Sequence, residues 1–378
     1  MRRRSLPAFA ALHVATLHVA ALTRAVLLGT VLLASVLLIG FGPVAIEAQT
    51  TISARAATLE IGGRLHGQYQ GSSVDDAAGD FFVRRARLIT DATFNDFFVG
   101  RLQVDFAGGS ASLLDAYVRM DFHDGLLLSV GQFKRSFDIF ELASSTDLSV
   151  VERTGAIEGF NTCTGVGSIC SFSRLTEALD YAGRDIGVRA EGVSGTLSYE
   201  AAVTNGTGVG VRDENDGMSF SGRAGIAASE HLTVSANLGF HDYRSPPQLE
   251  TEHAFAWGGD VQYGTWRDGF LLQAAVAGGD NWRSLDTGGA PEQFLAAQAI
   301  GSYYHPLDGE RIIGIEPLMR VSVADPNGSL DEDGGTLLTP GVMLYLLGKN
   351  KIGANLDYYV PNAGGSEFSL RLATFLYF

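Results

Sequence analysis

The chain ends Phe368-Ser369-Leu370-Arg371-Leu372-Ala373-Thr374-Phe375-Leu376-Tyr377-Phe378. Successive side chains of extended backbone point to opposite faces. Phe368, Leu370, Leu372, Thr374, Leu376 and Phe378 therefore make one mainly apolar row that runs to the final residue. The same period of two recurs upstream. Leu232, Val234, Ala236, Leu238 and Phe240 alternate with Thr233, Ser235, Asn237, Gly239 and His241, and Phe98, Gly100, Leu102, Val104 and Phe106 alternate with Val99, Arg101, Gln103 and Asp105. Segments 114–122, 254–263 and 351–360 repeat the pattern. Each has one apolar face and one polar or small face, the mark of a strand with two different surroundings.

Period alone allows a soluble sandwich, with its apolar face inward, or a membrane barrel, with its apolar face outward to lipid. Length favours the barrel: the alternating runs span about nine to eleven residues, enough for a tilted strand to cross a bilayer, whereas sandwich strands are commonly about five or six. Phe98, Phe106, Phe122, Phe240, Tyr263 and Tyr358 sit near strand ends, as interfacial girdles do. The terminal row closed by Phe378 resembles the outer-membrane insertion signal of Gram-negative barrel proteins. Strand candidates begin near Leu59, Phe82, Phe98, Leu113, Leu126, Asp185, Thr196, Phe220, Leu232, Ala254, Phe270, Phe294, Ile312, Leu337, Ile352 and Phe368. That even count is what a closed bacterial barrel requires. The expected fold is all-β: a transmembrane antiparallel β-barrel of about 16 strands over residues 58–378.

Composition agrees. The 378 residues are 46% hydrophobic and 18% charged, with 47 Gly, 10 Pro and a net charge of −15, which disfavours a nucleic-acid partner. Past the N-terminus no apolar run of about 18 residues remains for a helical span. The N-terminus itself carries Arg2, Arg3 and Arg4, then an uncharged stretch from Ala25 to Ile46, then a polar switch at Glu47. This reads as a signal peptide over 1–48, cleaved after Ala48, with an uncleaved anchor helix as the alternative. Residues 49–57 then form a short periplasmic extension. Removing 1–48 leaves 23 basic and 41 acidic residues. The eight His show no metal-binding spacing, and no nucleophile elbow, phosphate loop or dinucleotide fingerprint occurs. No metal or cofactor is expected.

Between Gln132 and Asp185 the alternation is lost for about fifty residues, too long for an idle loop. Residues 136–183 are expected to fold into the lumen as a constriction loop anchored by Phe137, Phe140 and Phe160. Cys163 and Cys170 lie inside it. Their spacing in an exported chain allows a disulfide, worth about 2–3 kcal/mol in the chain-entropy model; two free thiols are the alternative.

Phe82-Val83-Arg84-Arg85-Ala86-Arg87-Leu88, Leu114-Asp115-Ala116-Tyr117-Val118, Val130-Gly131-Gln132-Phe133-Lys134, Ser144-Ser145 and Glu152-Arg153 follow one another in order. With Gly62-Gly63-Arg64-Leu65 upstream, and Thr204-Asn205-Gly206 and Phe378 downstream, they resemble the phosphate-selective porin O and P family. The resemblance implies a sixteen-stranded outer-membrane porin, a homotrimer, whose constriction is lined by basic residues that pass anions. Arg64, Arg84 and Arg85 match the family's pore-lining arginines. Because Arg84 and Arg85 are adjacent, ideal alternation would send one of them into lipid at a cost of about 2–4 kcal/mol, so a bulge or a strand end is expected there. Arg87, Lys134, Arg135 and Arg153 are further candidates, while Arg101 and Arg119 read as wall ion pairs with neighbouring aspartates. One departure stands out: phosphate-specific members carry a lysine in the constriction loop, and Glu141 occupies that place here. A carboxylate at the constriction would oppose anions.

The leading functional expectation is passive diffusion of small hydrophilic solutes or inorganic anions, phosphate among them, through the outer membrane of a Gram-negative cell, and no enzymatic activity. An outer-membrane barrel enzyme of the phospholipase kind and a soluble exported β-rich binding module are the rivals.

Overall fold

The computed structural model describes residues 50–53, 57–163, 166–213, 215–245, 250–284 and 290–378. The signal segment expected at 1–48 lies outside them. Strand formation follows the alternation closely. A short β1 (Thr50–Ser53) precedes β2 (Thr58–Ser72), β3 (Asp80–Thr93), β4 (Phe98–Asp105), β5 (Ser112–His123) and β6 (Leu126–Lys134). Past the long segment come β7 (Arg184–Ser194), β8 (Leu197–Thr204), β9 (Ser219–Ala227), β10 (Leu232–Ser245), β11 (Glu250–Thr265) and β12 (Asp268–Asn281). The chain ends with β13 (Glu292–Pro306), β14 (Ile312–Asp325), β15 (Gly335–Leu346), β16 (Lys351–Pro361) and β17 (Glu367–Tyr377).

Each of β2 to β17 pairs antiparallel with its sequence neighbours, and β17 closes on β2 with Ser369 opposite Ser72 and Tyr377 opposite Arg64. The result is a closed sixteen-strand barrel. β1, inside the expected N-terminal extension, continues along β2 beyond the chain terminus, with Thr50 opposite Ile61. The backbone N–H of Gly63 donates to the Phe378 carbonyl at 2.7 Å, and a side chain at Gly63 would collide with the Phe378 ring. β10 to β14 have fourteen to sixteen residues, longer than the nine to eleven that a bilayer crossing needs. Their ends therefore stand beyond the hydrocarbon band.

The outward rows are apolar and exposed, including Phe98, Phe106, Phe122, Phe240, Tyr263 and Tyr358, as lipid and its interfaces require. The inward rows differ around the barrel. β3 to β5 and β7 present Arg and Asp, whereas β11 to β13 present Ala254, Ala256, Gly258, Ala277 and Ala296. Against that small-residue wall the segment between β6 and β7 folds inward. It contains α1 (Ile139–Leu142) and α2 (Phe172–Ala178). Phe137, Phe140, Ile169, Phe172, Leu175, Leu179 and Tyr181 pack with those alanines into one hydrophobic cluster. Missing side chains make the room: a Cβ at Gly239 would lie 3.1 Å from Tyr181 and one at Gly258 3.5 Å from Phe137. Cys163 and Cys170 are joined by a disulfide within the segment, their Cα atoms 5.1 Å apart.

Candidate functional site

Arg85 pairs across the sheet with His66 and Val83 with Gly67, so Arg84 is the extra residue of a β-bulge. The bulge sends both guanidinium groups to the same side. Arg84 Nε and Nη2 lie 2.5 and 3.1 Å from the two carboxylate oxygens of Glu152, and Arg85 Nη2 lies 3.9 Å from Oε2. Burial would raise the Glu152 carboxyl, but the charges of Arg84 and Arg85 outweigh it and hold the group at about 2.

The wall beside this pair is a ladder of cations. Arg87 bonds Asp105 at 2.7 Å, Arg101 bonds Asp91 at 2.7 Å, Arg119 bonds Asp121 at 2.6 Å and Arg184 bonds Asp115 at 2.7 Å. Arg101 and Arg119 are thus wall ion pairs, with Asp91 and Asp121 as partners. Arg189 pairs with Glu191 and rests over the Phe133 ring, 5.0 Å from its centroid. Two cations are less compensated. Arg64 donates to Ser145 Oγ, and no carboxylate among the described residues pairs with it. Arg85, 4% exposed, keeps its Nε without a partner.

Together these groups enclose a cavity of about 310 Å³ between the inward segment and the wall β2 to β8. Arg64, Arg85, Arg87, Arg101, Lys134, Arg153, Arg184 and Arg189 line it, against two carboxylates, Asp115 and Glu200. The segment contributes Leu142, Ser144, Ser145 and Arg153. It is held there by cations bonded to backbone: Lys134 Nζ donates to the carbonyls of Glu141 and Ala143, and Arg153 donates to those of Phe140 and Ala143. These are carbonyls that the end of α1 leaves without intrahelical partners. At its other end Asp138 caps α1, accepting from the Phe140 N–H at 2.8 Å and the Thr176 hydroxyl at 2.7 Å. Burial pushes the Asp138 carboxyl up to about 7.

Three sequence expectations need correction. Glu141 does not face the pore: it is buried, 2.7 Å from Arg153 Nη1 and 3.8 Å from Lys134 Nζ, where it neutralises the two cations that hold α1. Arg135 does not line the cavity; it is buried where the segment leaves β6, bonded to Asp185 and to the Asp180 carbonyl. Arg84 spends its charge on Glu152 and is absent from the cavity lining. Phe137, expected as an anchor of the segment, lies deep in its core. Sequence reading missed Arg184, Arg189 and Ser144–Ser145 as lining groups. For Arg189 the signal was present, since Arg189 and Glu191 alternate with Val188 and Ala190. Among the described residues no group of three His, Cys, Asp or Glu side chains is placed to hold a metal ion.

A closed sixteen-strand barrel, apolar outside and narrowed inside by a folded segment, is an outer-membrane channel of the porin class. The model of the phosphate-selective porin O and P family matches residues 59–245. No curated protein matches the sequence. Among solved structures, the outer membrane channel DcaP of Acinetobacter baumannii is similar at 14% identity and a TM-score of 0.59, covering 86% of this chain and 99% of that one. An anion-selective porin from Comamonas acidovorans is similar at 14% identity and 0.59, covering 85% and 100%. OmpF of Salmonella typhi, solved with daunomycin, follows at 11% and 0.57, covering 87% and 100%. At such identities the likeness is one of fold.

Proposed function

We propose that the channel passes small anions in preference to cations, by diffusion and without catalysis. The observation carrying this reading is the lining of the cavity: eight cationic side chains against two carboxylates, with no carboxylate from the inward segment. An anion about 4 Å from one guanidinium gains about 4 kcal/mol at an effective dielectric near 20, before screening. Arginine replaces lost hydration with fixed donors and stays charged. Most of the lining arginines are already bonded to aspartate or glutamate, which keeps each site weak enough to release an ion onward. Arg64 and Arg85, the less compensated pair, are the groups expected to touch the permeating anion, with the hydroxyls of Ser144 and Ser145 facing them. Inorganic phosphate, chloride and small carboxylates all suit this lining.

In a planar bilayer under a potassium chloride gradient, the wild type should show a chloride-to-potassium permeability ratio above unity. Arg64→Gln should lower it by about fivefold or more, given that one such contact is worth at least about 1 kcal/mol. A cation-preferring wild type would overturn the reading. Phosphate added to the bath should reduce the chloride current if phosphate binds in the cavity.

A catalytic reading has one specific observation behind it: Ser219 Oγ lies 3.4 Å from His241 Nδ1, and His241 Nε2 lies 3.9 Å from Asp180. Ser219 is fully buried, however, and bonds Asp242, while Arg135 Nη1 lies 3.3 Å from the same His241 nitrogen. Hydrolysis of phospholipid by the refolded chain would reverse this judgement. The signal segment over 1–48 and a homotrimeric assembly belong to the same reading; crosslinking in the membrane and N-terminal sequencing of the mature protein test them.

A further inference from the structure

Arg320 lies mid-way along β14, fully buried, and touches neither the cavity nor solvent. Its guanidinium is spent entirely on fixed partners. Nη1 donates to the backbone carbonyls of Glu152 at 2.9 Å and Arg153 at 2.7 Å. Nη2 donates to Asp357 Oδ1 at 2.7 Å and Thr339 Oγ1 at 2.8 Å, and Nε donates to the same hydroxyl at 3.0 Å. Asp357 is fixed in turn by Arg371, 2.7 Å from its other oxygen. The segment's backbone comes closest just beyond: Gly155 has φ +63, and a Cβ there would stand 2.7 Å from Arg320 Nη2 and 2.6 Å from Leu337. The turn 152–155 is thus clamped between a guanidinium and the wall.

Glu152 and Arg153, the two residues on that clamp, send their side chains to opposite duties. Glu152 reaches Arg84 and Arg85 and cancels charge at the wall, and Arg153 lines the cavity beside Glu141. We propose that Arg320 is a positioning residue for selectivity: by gripping two consecutive carbonyls it fixes how much of the Arg84–Arg85 charge is cancelled and where the Arg153 charge stands, although it never meets the permeating ion. Burying an unreplaced guanidinium is costly, and here the cost is met by five donated bonds, two of which end on the one turn that sets the cavity's charge.

The inference rests on the channel reading but not on the sign of its preference. The experiment measures reversal potentials in a potassium chloride gradient for the full-length barrel, with heat-shifted gel migration as the control for folding. Arg320→Gln and Thr339→Val, the second removing only the hydroxyl that accepts two of the five bonds, should each change the permeability ratio, Arg320→Gln by about twofold or more. The change should vanish when Arg320→Gln is built into a Glu152→Gln/Arg153→Gln background, because the residues it positions no longer carry charge. Should Arg320→Gln not fold, Thr339→Val and Gly155→Ala decide in the same way. A folded variant with the wild-type ratio, or an equal change in the uncharged background, would overturn the proposal. A wild type that prefers cations would refute the anion reading while leaving this test intact.

Discussion

Glu141 shows how a residue's identity can be legible while its role is not. Its place in the sequence suggested a carboxylate set against anions, whereas its surroundings make it the counter-ion of Arg153 and Lys134, 5% exposed and off the cavity surface. Linear spacing says nothing of which neighbour comes back across the lumen to meet a side chain. Arg84 and Arg85 are the opposite case. Two adjacent arginines on a lipid-bounded strand conflict with strict alternation; that conflict pointed to a bulge or a strand end, and the structure has the bulge, opposite His66 and Gly67. Glu141→Gln should therefore raise the chloride-to-potassium ratio, since two lining cations lose a partner. It should also cost about 1–3 kcal/mol in the hold on α1, because the buried donors left behind go unmatched. Glu141→Lys, which the sequence alone would recommend as the route to a phosphate site, places a third cation beside Arg153 and Lys134 and should unseat α1 instead. Reversal potentials, together with the temperature of heat-shifted migration, compare the two. A well-folded Glu141→Lys barrel with enhanced phosphate block would contradict this account.

At the scale of elements, sequence and structure agree on strands and part at the inward segment. All sixteen expected strand starts fall within or beside observed strands, because one face meeting lipid and the other not imposes the alternation everywhere. The segment's existence was legible from lost alternation and its aromatic anchors. Its seat was not. Ala254, Ala256, Gly258 and Ala277 read equally well as a loosely polar inner face, and only packing reveals them as the floor under Phe137 and Tyr181. Two buried carboxyls give the hold on this segment opposite pH dependences. Glu152, lowered from its ordinary 4.5 to about 2, contributes stability that is present above 4.5 and lost as pH falls through about 2. Asp138 is raised from 3.8 to about 7 by burial, with Glu141 adding to the shift and Arg153 opposing it. Its contribution is complete below 3.8 and lost as pH rises through about 7. The segment is thus best held between these limits. Open-channel current noise should grow from pH 6 to pH 8 as the Asp138 cap ionises in its buried site. Asp138→Asn, which keeps an oxygen acceptor for the Phe140 N–H, should remove that dependence. Equal noise growth in both proteins would show that the cap is not its source.

At the scale of the whole molecule, net charge says little about the pore. The chain carries −15, yet its acids and bases are segregated. Exposed carboxylates gather at the rim with the longer connections: Asp75, Asp76, Asp80, Glu158, Asp216, Glu250, Glu252, Glu292, Asp331 and Glu332, with Arg212, Arg244 and Arg283 among them. The cations lie inside, on the wall of the cavity. Short turns mark the other rim as periplasmic, so the acidic rim faces outward and an anion meets repulsion before attraction. Salt separates the two effects. The Debye length falls from about 10 Å at 0.1 M to about 3 Å at 1 M. Rim charges, acting through water, are screened over that range, whereas arginines in contact with a partly dehydrated anion are screened far less. A simple charged pore loses selectivity as salt rises. Here the chloride-to-potassium permeability ratio should hold or increase from 0.1 M to 1 M. Replacing Asp75, Asp76, Asp331 and Glu332 by their amides should raise the ratio at 0.1 M while leaving it nearly unchanged at 1 M. A ratio that collapses toward unity at 1 M in the wild type would place the selectivity in long-range fields rather than in the contacts of Arg64 and Arg85.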